Sequence, residues 1–151
     1  MNLEPIREKS NLLAHLPGPE MRFFESVATE ATFEADAVLF DEGSAADMFY
    51  IIGVGRVALE IASPGKAPIV VQTLSDGELV GISWLLPPYR WQWRARALIG
   101  TDAVAFDAAA VRKECELDKE LSLRVHQAVA AEAARRLHHT RLQLLDLYEK
   151  V

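Results

Sequence analysis

The sequence predicts a mainly β domain with flanking helices. The core is an antiparallel β jelly roll (a double-stranded β-helix), with N-terminal helices before it and a long C-terminal helix after it. Three observations predict this. Period-two alternation runs from Thr32 to about Phe106, glycines mark the corners between short apolar runs, and no Gly or Pro follows Gly100. Short strands with turn residues between them build sandwiches and jelly rolls, whereas strands separated by helical stretches build parallel sheets.

The elements follow in chain order. Gly18-Pro19-Glu20 is a helix entrance, because proline suits the first helical position and an acidic side chain there complements the helix dipole. Met21, Phe24 and Ala28 then share one helical face, and this helix is expected to end before Phe33. Val38-Leu39-Phe40 is a short apolar run closed by Asp41-Glu42-Gly43. Met48 to Ile52 is aromatic and β-branched and stops at Gly53. In Arg56 to Ile61, Val57, Leu59 and Ile61 share a face. Ser63-Pro64-Gly65-Lys66 turns the chain, Ile69 to Leu74 returns as a strand, and Ser75-Asp76-Gly77 turns again. Arg94–Leu98 and Ala103–Phe106 complete the strands. From Ala108 the pattern is helical, with Leu121, Val125, Val129, Ala133 and Leu137 recurring every four residues and Leu137, Leu144 and Val151 every seven. A helix from Glu120 to Tyr148 spans about 40 Å at 1.5 Å per residue. That length fits either a lid on the sheet with an exposed tip or a dimer helix whose distal leucines face a second copy. The expected organisation is one domain over residues 1–151: a helical segment at 1–30, the roll at 31–107 and C-terminal helices at 108–151.

Composition narrows the function. The 151 residues are 50% hydrophobic and 25% charged, with a formal net charge of -6. An acidic chain lacks the electrostatic footprint of a non-specific nucleic-acid binder. Arg135, Arg136 and Arg141 give the last helix a basic edge, but Glu132, Asp146 and Glu149 interrupt it, which points to a solvated face. The single cysteine, Cys115, excludes an intramolecular disulfide framework and a thiolate-clustered zinc site, and its neighbours Glu114 and Glu116 disfavour a reactive thiolate. None of the four histidines (His15, His126, His138, His139) lies among the strands, so a jelly-roll metal site is not expected. No spacing supports a nucleophilic triad or a phosphate-cradling glycine loop, and no enzyme activity is expected. No apolar run reaches membrane-spanning length, and Met1–Pro5 lacks the features of a secretory leader. The expected location is the cytoplasm.

Together, Leu39-Phe40-Asp41-Glu42-Gly43, Ala46 to Ile52 with Gly55 and Val57, Leu74-Ser75-Asp76-Gly77-Glu78-Leu79-Val80-Gly81, and Arg96-Ala97-Leu98 resemble the cyclic-nucleotide-binding domain of the catabolite-activator/Fnr (Crp/Fnr) type. The resemblance extends from about Pro17 to Tyr148. It implies a non-enzymatic sensor in which a cassette between two strands binds a cyclic nucleotide and repacks the long helix. The family cassette runs Phe-Gly-Glu, a short helical turn, then Arg-Ser/Thr-Ala. Its helix N-terminus and arginine meet the phosphate, and its glutamate accepts a hydrogen bond from the ribose.

This chain departs at those positions. Val80-Gly81-Ile82 replaces Phe-Gly-Glu, and Trp91 and Gln92 stand where the arginine and hydroxyl residue are expected. The intervening residues, Ser83 to Arg94, hold all three tryptophans. The candidate ligand-binding residues of this degenerate cassette are Val80, Gly81, Ile82, Ser83, Arg90, Trp91, Gln92 and Arg94, with Arg90 or Arg94 as substitute phosphate ligands. Three outcomes remain open: ordinary cAMP or cGMP binding, another small ligand such as a different phosphate, or indoles that fill the former ligand volume. No resident cofactor is expected. The alternative to a sensor is an adaptor or subunit that uses Pro87–Trp93 as a protein-binding surface, since Trp, Tyr and Arg dominate interface energies. The family's regulators continue into a helix-turn-helix domain beyond the long helix. Because the sequence stops at Val151, direct nucleic-acid binding is not expected.

Overall fold

A computed structural model describes residues 1–149. Two four-stranded antiparallel sheets form the roll. With β1 Ala28–Phe33, β2 Val38–Phe40, β3 Met48–Val54, β4 Val57–Ile61, β5 Ile69–Leu74, β6 Leu79–Val80, β7 Arg94–Ala97 and β8 Thr101–Asp107, the strand orders are β1-β8-β3-β6 and β2-β7-β4-β5. Helices α1 (Glu4–Arg7) and α2 (Gly18–Ser26) precede the roll, and α3 (Ala108–Leu117) and α4 (Lys119–Glu149) follow it.

The first strand starts earlier than the helical spacing of Met21, Phe24 and Ala28 implied. α2 ends at Ser26, and Ala28 pairs with Phe106. The β-branched Thr29 and Thr32 favour the extended backbone, and pairing to β8 outweighs a one-residue continuation of the helical face. The two-residue strand β6 was too short to show a period. α3 begins at an Asp107 cap, whose carboxylate accepts from the Ala110 amide, and the Asp118 carboxylate accepts from Leu121 at the start of α4.

Alternation along β3 divides the core in two. Phe49 and Ile51 pair with Phe106 and Val104 and point towards the helices, where Phe49 stacks on Trp84 at 3.8 Å and Phe24 meets Phe106 edge-on at 5.9 Å. Tyr50 pairs with Ala105 and Val80 and points between the sheets, towards Phe40 on β2. Aromatic pairs of this kind add about 0.5–1.5 kcal/mol each beyond their buried area.

On β4, Val57 and Leu59 join the interior as their alternation predicts, and Glu60 takes the outer face. Glu60 is nevertheless 0% exposed. Its Oε1 accepts from Arg94 Nε at 2.8 Å and Arg96 Nε at 3.0 Å, and its Oε2 accepts from Arg96 Nη2 at 3.1 Å.

The first half of α4 is anchored to the rest of the chain. Leu121, Val125 and Val129 are buried, and Arg124 reaches Glu20 at 2.5 Å. Beyond Arg136 the described residues of the helix are exposed, with Leu137 and Leu144 55% and 51% exposed. Val151, the last member of the seven-residue series, lies outside the described residues. No helix among the described residues is long and apolar enough to cross a membrane.

Candidate functional site

The remodelled segment leaves β6 at Val80, makes a 3-10 turn at Ser83–Leu85 and returns to β7 at Arg94. Val80 is buried against Tyr50. Gly81 has φ +85°, a left-handed backbone conformation that disfavours any side chain, and a Cβ there would collide with the Trp91 ring. Trp91 is 4% exposed and stacks on Phe40 at 3.8 Å with planes 10° apart. Its indole therefore occupies the roll interior directly beside Gly81. The backbone holds it there: Trp91 N donates to Ser44 O at 3.0 Å, and Gly43 N donates to Trp91 O at 2.7 Å.

Trp84 lies on the other side of the sheet, fully buried against Phe49. Arg112 of α3 secures this turn. Its Nη1 donates to Trp84 O at 2.6 Å and Ala46 O at 3.2 Å, and its guanidinium sits 4.3 Å above the Tyr89 ring. The arc from Leu86 to Arg90 is exposed.

The two candidate substitute arginines have different surroundings. Arg94 is engaged with Glu60 on the outer face of β4 and β7. Arg90 is exposed, and its Nη1 donates to Gly43 O at 2.9 Å. Ile82, Ser83, Arg90, Gln92 and Trp93 come together around a cavity of about 220 Å³ closed on its far side by Ala133 and Arg136 of α4. Val80, Gly81, Trp91 and Arg94 do not line it.

Arg136 and its neighbour Arg135 correct the expectation of a solvated basic edge. Arg135 pairs with Glu132 and with Glu78 at 3.1 Å, and Arg136 donates to Leu79 O at 3.1 Å. Burial lowers the Arg136 pKa, opposed by the nearby Glu132 charge. The helix spacing carried a signal for this: Val125, Val129, Glu132 and Arg136 recur at four, three and four residues and share the inward face. Cys115 is also buried, and desolvation pushes its thiol up to about 11. A thiolate is therefore scarce at neutral pH.

A sequence profile of the cyclic nucleotide-binding domain matches residues 30–118, more than half of the chain. No curated protein matches. Among solved structures, a protein provisionally named as cyclic nucleotide-binding from Geobacter metallireducens GS-15 superposes with TM-score 0.81 at 27% identity, covering 91% of this chain and 100% of that one. A cyclic nucleotide-binding domain from Methylobacillus flagellatus KT gives TM-score 0.80 at 19% identity over 95% of this chain and 83% of that one. The Thermus thermophilus catabolite activator protein gives 0.70 at 24% identity over 92% of this chain and 63% of its own.

Proposed function

Since the chain belongs to the cyclic nucleotide-binding domain family, we propose that it is a non-enzymatic sensor or regulatory domain whose uptake of cAMP and cGMP is weakened or lost. The observation that carries this is Trp91. Its indole lies against Gly81 and Phe40 in the roll interior, where the family resemblance puts the nucleotide. Ile82 offers no acceptor to a ribose hydroxyl, and Arg94 is already committed to Glu60. Each missing hydrogen bond to a charged partner costs about 1.5–3 kcal/mol, so two of them weaken binding by orders of magnitude. Isothermal titration calorimetry of the full chain with cAMP and cGMP tests this. The expected result is no saturable heat up to about millimolar nucleotide. Tight one-to-one uptake of either nucleotide would overturn the proposal.

The partner we propose for the distal half of α4 is a second copy of the chain. Leu137 and Leu144 repeat at seven residues and are exposed in the monomer, as a helix-pairing seam requires. A cytoplasmic location accompanies this function, and no nucleic-acid partner is part of it.

A second function, as a protein-binding adaptor, is favoured by the exposure of Leu86 and Tyr89 on the outer arc. Trp91 does not contribute to such a surface, because it is buried. The adaptor would therefore present Leu86, Pro87, Pro88 and Tyr89, with Trp93 only half-buried beside them.

A further inference from the structure

The cavity between the remodelled segment and α4 carries a charge pattern that the indole-filled interior lacks. Two arginines line it, Arg90 from the segment and Arg136 from α4, and no carboxylate does. Arg90 has no ion pair among the described residues. The Arg136 Nε is buried without a hydrogen-bond partner. The Glu132 carboxylate lies 3.4 Å from it but out of hydrogen-bonding alignment, and Glu132 is shared with Arg135. That Arg136 Nε has no exposed surface. It is Arg90, together with the part of the Arg136 guanidinium that lines the cavity, that makes the lining cationic without a carboxylate, and such a lining favours an anion.

The rest of the lining restricts the body of that anion. Ile82, Pro87, Pro88 and Trp93 make apolar walls, and the neutral polar groups are Ser83 and Gln92. A ligand with several hydroxyls would leave most of them unpaired here, at a cost in binding. The cavity is also smaller than the roughly 300–1,000 Å³ usual for drug-sized ligands. We propose that it binds a small organic anion, a carboxylate or phosphate on a flat apolar body, whose charge is met by Arg136 of α4 and Arg90 of the segment. This rests on the sensor function proposed above and names the ligand class of the same region. Because Arg136 belongs to α4, the ligand's charge acts directly on the long helix.

The test titrates the full chain with phenyl phosphate and with benzoate, followed by tryptophan emission and calorimetry. Benzyl alcohol supplies the ring without the charge, inorganic phosphate supplies the charge without the ring, and cAMP is run in the same series. Saturable binding of at least one aryl anion is expected, with both controls weaker by about tenfold or more. Phenyl phosphate against benzoate decides between the two acid groups. Arg136→Gln and Arg90→Gln are each expected to weaken the aryl anion by about tenfold, the loss of one charge-assisted hydrogen bond. Arg136 also holds Leu79, so Arg90→Gln, at an exposed position and with an unchanged unfolding temperature, is the variant that decides. Unaltered affinity in Arg90→Gln, or no saturable binding of either aryl anion, overturns the anion site. If the aryl anions fail while cAMP is also inert, the proposed loss of nucleotide binding still stands. Tight cAMP uptake overturns that loss instead.

Discussion

Trp91 and Trp93 stand two residues apart in one segment and meet opposite conditions. Trp91 is sealed between Phe40 and Gly81 inside the roll, whereas Trp93 is half-buried on a cavity that it shares with Arg136. One indole has become core and the other has become a wall of a site. The two rings therefore divide the space around this segment in two. Inside the roll an indole fills the space beside Gly81, while the space outside it is lined by two arginines and by apolar side chains.

Removing the two rings tests that contrast most directly. Trp91→Ala is expected to cost about 3–5 kcal/mol in urea-induced unfolding, as large-to-small changes in a packed aromatic core do. Trp93→Ala is expected to cost about 1 kcal/mol, because much of its area already faces solvent. Equal losses would abolish the distinction.

Glu60 sets the strand on which the segment lands, since it holds Arg94 immediately after Trp93. Glu60→Gln is expected to cost about 3 kcal/mol, the lower end for breaking a buried ion pair, because the two arginines are partly exposed. The pH dependence has a definite sign. Burial pushes the Glu60 pKa up, but the hydrogen bonds from Arg96 and Arg94 outweigh it and hold the carboxyl below its ordinary value of 4.5. Its contribution is complete above that value and is lost as pH falls through the lower folded-state pKa. Acid titration of stability should therefore fall more steeply in the wild type than in Glu60→Gln below about pH 4.5, with parallel curves above it. Parallel curves throughout would mean that the Glu60 pKa is not lowered by folding.

The smallest effect on folding is expected far from both rings. At protein concentrations low enough to keep the chain monomeric, Leu137→Ala combined with Leu144→Ala should change the stability of the roll by less than about 0.5 kcal/mol, as exposed positions do. The same pair of changes should convert a dimer to a monomer in sedimentation velocity. A wild-type chain that sediments as a monomer at tens of micromolar (about the range in which modest helix pairing is populated) would remove the second copy from the proposal.

Much of the roll was legible because its strands are runs of apolar, β-branched and aromatic residues closed by turn residues. Met48–Ile52 is an aromatic and β-branched run that stops at Gly53, and Val57, Leu59 and Ile61 share a face before the turn at Ser63–Lys66, so composition, period and punctuation agree. The end of α2 was not legible, because Ala28 satisfies the helical spacing and the strand pairing equally well. Gly81 was readable as the surviving cassette glycine, but its contact with Trp91 depends on a fold-back ten residues later. Glu60 looked like an ordinary outward residue, since its partners lie 34 and 36 residues away. Arg136 was hidden for a similar reason: a charged side chain on a helix reads as solvated unless the partner elements are known, and here they are β6 and the turn before it.

The abrupt change along α4 also has a mechanical consequence. Arg136 is attached to the roll, and the next residue begins the exposed stretch, so the attachment acts as a fulcrum. The 13 residues from Leu137 to Glu149 form a stiff arm about 20 Å long at 1.5 Å per residue. A 10° tilt at Arg136 swings the far end by about 3 Å, more than half a helical turn of 5.4 Å pitch.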